Sequence, residues 1–389
     1  MNAHTLALLE FPHILQSISA RAGSELGRDA LLNLRPAKEV EEARRELLRV
    51  EESCTLLGDA ADWAPPLPPD ARSGLRILST EGGVLDPLQV HRLGRLLEAA
   101  RELGQALDRM LAPGESPGLR ELRSRLPRLP LPEALIRGTV DEEARIRDRA
   151  SPQLAQIRRR LQEIRQRIVG QLEALLARLP ERFRVPDASV SIREGRYVIP
   201  IRREGRGEVG GVVLGESGTG ATLFVEPPLA ARLVGHLLEL QREEAAEIQR
   251  ILRELTVELR PHRRDLSEGL RALVDFDSLW ARALTARFWG AARPDLLPPG
   301  EEALRIRSGR HPLLIEQGVS PVVPFDLDLE PEERAVVISG PNTGGKTVLL
   351  KAVGLIFLLA QSGIFPPVAR GTQLPWMRRV VADIGDEQS

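Results

Sequence analysis

Eight consecutive residues, Gly340-Pro341-Asn342-Thr343-Gly344-Gly345-Lys346-Thr347, have the spacing G-x-x-x-x-G-K-T. Their glycines let successive backbone N–H groups converge on one anion, and a lysine follows where it reaches phosphate oxygens. The chemistry is that of a phosphate-binding loop. Backbone amides cradle a nucleotide, Lys346 meets the β- and γ-phosphates, and the Thr347 hydroxyl ligates Mg²⁺. The flanking elements agree. Ala335 to Ser339 is an apolar, β-branched run that reads as a buried strand, and Val348 to Gln361 reads as an apolar helix. That helix adds the positive end of its dipole. Lysine occurs only at 38, 346 and 351, against 51 arginines, so the loop has a flexible point charge where such a site needs one.

The elements around this loop are mostly helical. A length of 389 residues allows two to four domains, and the 3% aromatic content with abundant leucine and arginine favours long helices. Net charge is −1, so any basic surface must be local. The lone Cys54 excludes an internal disulfide and a cysteine metal cluster, and fits a reducing compartment. His4, His13 and His91 share no metal-ligand spacing. The N-terminus has no targeting pattern and the apolar run at 352–360 is too short to span a bilayer, so a soluble, cytoplasmic protein is expected.

Along the chain, residues 3–57 and 75–111 read as helices. The proline-rich stretches 59–70 and 112–132 read as a loop and a linker-like turn region. Leu154, Ile157, Leu161, Ile164, Ile168, Leu172, Leu175 and Leu179 recur at spacings of three and four, a coiled-coil seam. A second seam runs through Leu233, Leu237, Leu240, Ile248, Ile251, Leu255 and Leu259, interrupted at Glu244. An antiparallel pair of arms follows, with the intervening residues as a small β meander at their tip. Within that tip Arg193, Arg196, Arg202, Arg203 and Arg206 cluster around Tyr197, facing only Glu194 and Glu204. Two readings stand: contact with a nucleic-acid backbone, or an ordinary solvated strand face. Residues 262–290 form a further core helix, and 303–329 give short strands around Arg310–Leu314 and Val322–Asp326.

GPNTGGKT, a helix ending in AQSGIFPPVA, then DIGDEQS, with GRHPLL and VVPFD upstream, together resemble the MutS family of ATPases. Thr343 in the loop and the insert REGRYVIPIR…GGVVLGESGTGATLFVEP resemble its second bacterial subfamily, the paralogue linked to suppressing recombination. The resemblance implies a mainly α, multidomain architecture. Residues 1–140 are its helical core and lever, 141–185 and 229–262 its coiled-coil clamp arms, and 186–228 its β clamp tip. Residues 263–300 are core helices and linker, and 301–389 the N-terminal part of a phosphate-loop α/β ATPase domain. It implies ATP or ADP with Mg²⁺, and places His311, Val323 and Phe325 near the adenine; Phe325 stands where the subfamily more often has asparagine. It implies a homodimer on branched or duplex DNA, with an endonuclease activity usually credited to a C-terminal domain. Some members have also been assigned to stalled or collided ribosomes, hence rRNA.

Nothing ahead of the helical core resembles the mismatch-reading domain or its Phe-x-Glu wedge, so mismatch recognition is not expected. The family's signature loop, magnesium-holding acidic strand and nuclease domain have no counterpart up to Ser389, so poor ATP turnover by this chain is expected. One alternative is an acid-bearing strand at Arg379–Asp383 followed by Asp386-Glu387. Another is a binding module whose nucleotide site is vestigial.

Overall fold

The computed structural model describes residues 3–59, 63–112, 114–333, 335–340 and 345–383. They form two compact units. The first comprises 1–76, 92–133 and 262–389, the second 77–91 and 134–261.

Helices dominate, in the order α1 Ala3–Leu8, α2 Phe11–Ser19, α3 Glu25–Leu32, α4 Val40–Asp59, α5 Arg72–Ser79, α6 Pro87–Met110, α7 Pro117–Ser124 and α8 Pro130–Thr139. Then come α9 Pro152–Arg178, the short turn α10 Arg206–Val209, α11 Pro228–Leu259, α12 Arg263–Trp289, α13 Pro312–Glu316 and α14 Lys346–Gln361. The strands are β1 Ser191–Arg193, β2 Arg196–Arg202, β3 Val212–Glu216, β4 Thr222–Glu226, β5 Asp295–Leu296, β6 Leu304–Gly309, β7 Phe325–Leu329 and β8 Gln373–Leu374. Among the described residues, no helix is long and apolar enough to cross a membrane.

In the first unit, one core joins the start of the chain to its end. Leu9, Phe11, Ile14, Leu15 and Ile18 pack with Ala281 and Trp289 of α12 and with Leu355, Leu358 and Leu359 of α14. Each fully buried leucine there is worth about 1.5–3 kcal/mol. The α14 backbone comes close to this layer at Gly354, where an added Cβ would lie 2.9 Å from Leu9. Asp277 ties α12 to the start of α3, accepting from the Gly23 and Ser24 N–H groups at 2.9 and 3.0 Å.

Three expectations fail in this unit. The stretch 112–132 is not a turn region, because α7 starts within it and so does α8. Pro117 and Pro130 open these helices, where the fixed φ is pre-organised and no N–H is needed. Arg310–Leu314 is not a strand, since Pro312 opens α13 behind His311. Ala335–Ser339 is not a buried strand. It is unpaired among the described residues, and Val337 is 90% exposed. A β-branched run becomes a strand only beside a partner edge. The sheet that does form is small and mixed, in the order β5-β8-β6-β7, with only β5 and β8 parallel.

In the second unit, α9 and α11 are 27 and 32 residues long, about 40 and 48 Å at 1.5 Å per residue. They share one core with the sheet between them: Ile157, Leu161, Ile164, Ile168 and Leu172 of α9, Leu237 and Leu240 of α11, and Tyr197, Ile199, Ile201, Leu223 and Val225 of the strands. Leu176 is buried in place of the expected Leu175, which is half-buried. The sheet is not a meander. Its order is β1-β2-β4-β3, all neighbours antiparallel, so β4 lies between β2 and β3. The helical turn around α10 carries the chain past the position β4 fills.

Where the second seam breaks, polar groups replace leucine. Glu244 pairs with Arg158 of α9 at 2.7 Å. Glu247 is 3% exposed and accepts from the Ser151 hydroxyl at the start of α9, and from Arg250 at 2.7 and 2.8 Å. Ser151 also caps α9 by accepting from the Leu154 N–H at 3.0 Å.

Candidate nucleotide and nucleic-acid sites

The helix that would hold phosphate is α14. Its N-cap is Gly345, at φ 77° and ψ 17°, a left-handed conformation that an L side chain resists. No side chain caps this end and no acidic residue lies in its first turn, so its orphan N–H groups face no competing anion of their own helix. Gly340 also has a positive φ, 151°. Lys346 is half-buried and its ammonium folds back to donate to the Gly340 carbonyl, while Thr347 is exposed. Pro341, Asn342, Thr343 and Gly344 lie outside the described residues. The two ends of the loop fit a phosphate group: glycines in the required conformations, a lysine turned toward the loop, a hydroxyl at the second helical position. Among the described residues no group of three or more His, Cys, Asp and Glu could hold a metal ion.

The three residues expected near the adenine are differently disposed. His311 is 7% exposed at the N-cap of α13, and its Nδ1 is buried without a hydrogen-bond partner. Burial lowers its pKa, Glu10 opposes this and Lys351 reinforces it, so the ring is neutral at neutral pH. Lys351 pairs with Glu10 at 3.1 Å, and lies five residues along α14 from Lys346, about 7.5 Å at 1.5 Å per residue. Val323 is 80% exposed, and half-buried Phe325 leans over Gly309 at the edge of β6. His311 thus belongs to the surroundings of α14, whereas Phe325 packs within its own sheet.

The tip arginines are largely engaged. Arg196 pairs with Glu226 at 2.8 Å, and Arg202 donates to the Arg184 carbonyl at 3.1 Å. Arg203 donates to the Gly220 carbonyl at 2.9 Å and pairs with Glu216 at 2.5 Å. Arg193 lies over the Phe224 ring, its guanidinium carbon 3.4 Å from the centroid. Arg206 is exposed on α10. Tyr197 is buried on the other face, in the core with the arms. The tip as a whole is not basic. Residues 181–227 hold seven arginines (182, 184, 193, 196, 202, 203, 206) and seven carboxylates (181, 187, 194, 204, 208, 216, 226).

What concentrates charge is strand register. Residues directly opposite in an antiparallel pair point to the same face. Arg193 opposes Arg196, Pro200 opposes Phe224, and Arg202 opposes Thr222. Arg193, Arg196 and Arg202 therefore share the face turned away from the arms, with Phe224 among them. Phe224 was missed in the sequence because its neighbours Leu223 and Val225 make TLFVE look uniformly apolar. The period-two alternation was the available signal.

No protein-family model matches the chain. Curated relatives match along all of it. Endonuclease MutS2 of Gemmatimonas aurantiaca is 40% identical over 390 residues, 100% of this chain and 47% of that protein. Endonuclease MutS2 of Pelotomaculum thermopropionicum is 38% identical, over 100% of this chain and 48% of that protein. The putative endonuclease MutS2 of Bacillus subtilis is 33% identical, over 100% of this chain and 49% of that protein. The chain spans about half the length of the curated relatives it matches. With 33–40% identity in matches that cover the whole chain, the chain belongs to the MutS2 proteins of the MutS family.

Proposed function

We propose that this chain is the nucleotide-binding and nucleic-acid-gripping part of a MutS2 clamp, which uses ATP at the phosphate loop to change how a dimer holds branched DNA. In this reading residues 1–140 and 263–300 are the core and lever, the arms and 186–228 are the clamp, and 301–389 begin the ATPase domain. The observation that carries it is the start of α14: a helix end with no side-chain cap, preceded by Gly340 and Gly345 at positive φ, in a chain related throughout to MutS2 proteins.

The residues divide the work simply. Backbone amides at 345–347 and the Lys346 ammonium bind phosphate oxygens, and the Thr347 hydroxyl orients toward Mg²⁺. Bound Mg²⁺ would supply charge neutralisation on the terminal phosphates. Lys346 exchanges its bond to the Gly340 carbonyl for phosphate oxygens as nucleotide enters. The body of α14 is fixed in the core with α2 and α12, which gives the nucleotide a rigid element to act on. The endonuclease named in the relatives is assigned here to none of the described residues.

Two measurements test the reading. A fluorescent ATP analogue with Mg²⁺ should bind the chain and fail to bind Lys346→Ala. Duplex and branched DNA should bind in a salt-dependent way, and ATP should change that affinity in the wild type only. Nucleotide binding unaffected by Lys346→Ala would refute the assignment of the loop. Tight binding to ribosomes with none to DNA would replace branched DNA by RNA as the target.

A further inference from the structure

The outward face of the tip sheet holds a feature that phosphate contact does not use. Beside Arg193 lies a concavity of about 560 Å³ whose lining includes Asp187, Ser191, Ile192, Pro200, Ser217 and Phe224. Ile192 is 61% exposed on its edge. The Ser191 hydroxyl is buried and has no hydrogen-bond partner. Arg193 is pre-set. Phe224 supports its guanidinium from below, and Gly215 leaves room beside it, where an added Cβ would lie 3.0 Å from Nη1. A flat cation held on an aromatic ring presents its other face as a plane.

We propose that this face is a stacking platform for an unpaired nucleobase, so that the clamp tip prefers nucleic acid with single-stranded character over a continuous duplex. Arg193 and Phe224 form the platform, and the base completes a base–guanidinium–phenyl stack. The Ser191 hydroxyl gains its missing partner from the bound nucleotide. Arg196 and Arg202, on the same face, flank the strand's phosphates. Stacking is tolerant of sequence, because every base has a π face. Pre-organisation by Phe224 and Gly215 removes the cost of ordering a long arginine side chain on binding. This inference rests on the nucleic-acid reading above, and narrows its substrate to junctions, gaps and tails that expose bases.

The test compares a blunt duplex with the same duplex carrying a single-stranded tail, in DNA and RNA versions, by fluorescence anisotropy with the full chain. Wild type should bind the tailed form about 5- to 150-fold more tightly, the range for one stacked base. Arg193→Lys keeps the charge but not the plane. It should lose this preference, bringing the tailed-to-blunt affinity ratio close to one. Phe224→Leu should lose it too, and Phe224→Trp should keep it. A 2-aminopurine in the tail should be quenched by wild type and not by Arg193→Lys. An unchanged tailed-to-blunt ratio in Arg193→Lys, or equal binding of both probes by wild type, overturns the platform and leaves the clamp reading standing. Failure to bind any probe overturns both. A preference confined to the RNA tail supports the platform and assigns it to RNA.

Discussion

Replacing Glu247 tests the polar break in the arms. Glu247→Ala removes a carboxylate that is 3% exposed, leaving the Ser151 hydroxyl without its acceptor and Arg250 without one of its two acidic partners. Hydrogen bonds to charged groups are worth about 1.5–3 kcal/mol. The same contacts, Arg250 first and then Ser151, hold the Glu247 carboxyl down at about 2, from its ordinary 4.5. Glu247→Ala should therefore cost about 2 kcal/mol, read from urea unfolding of the arms by hydrogen exchange of peptides in 151–170. Glu247→Gln, which still accepts from Ser151, should cost about half as much. Because the folded pKa is depressed, the charged form stabilises the protein above the unfolded value. The wild-type advantage over Glu247→Gln should hold near neutral pH and shrink as pH falls from about 4.5 toward 2. A loss under about 0.5 kcal/mol for Glu247→Ala, or an advantage that grows on acidification, would refute the reasoning.

Other outcomes follow from the same geometry. Gly345→Ala forces an alanine into φ 77° at the head of α14, a penalty of about 1–2 kcal/mol, and should weaken ATP binding about tenfold in a direct titration. His311 should titrate below its usual value of about 6.5 by NMR, and Lys351→Ala should raise it by removing a nearby cation. Since that folded pKa is lowered, the stability contributed by neutral His311 is lost as pH falls below the unfolded value, a limb that His311→Gln should remove from the pH profile. If the proposed clamp holds DNA through its tip, Arg206→Ala, which removes an exposed cation there, should lower the slope of DNA affinity against salt by about one ion.

Periodicity made the arms legible. Leu154 to Leu172 fall on one face of α9, and the structure buries them in that order. The break at Glu244 was visible, but not its meaning. Only the fold brings Ser151 and Arg158, nearly a hundred residues earlier, against Glu247 and Glu244. Prolines misled in 112–132 and at Pro312, because the same residue ends one element and begins another, and composition cannot tell which. The β tip was legible as strands but not as an order. Local turns argue for neighbours in sequence, whereas β4 pairs with both β2 and β3. Of the nucleotide site, the motif itself was plain. The strand expected before it was not formed, since a strand depends on partners that no local pattern encodes.

The tip arginines show why counting charge is a poor guide to what a surface can bind. Arg196, Arg202 and Arg203 each satisfy donors within the protein, and the tip balances seven arginines with seven carboxylates. An internally paired arginine still has free N–H groups, but its side chain is already ordered. It meets a ligand at lower entropic cost than a free one, and with less net attraction at long range. Such a surface gains little from electrostatic steering and more from shape and stacking. Its affinity should therefore depend less on salt than five free arginines would require, and more on which strand structure is presented. In the proposed clamp, that would favour sites where bases are exposed over continuous duplex.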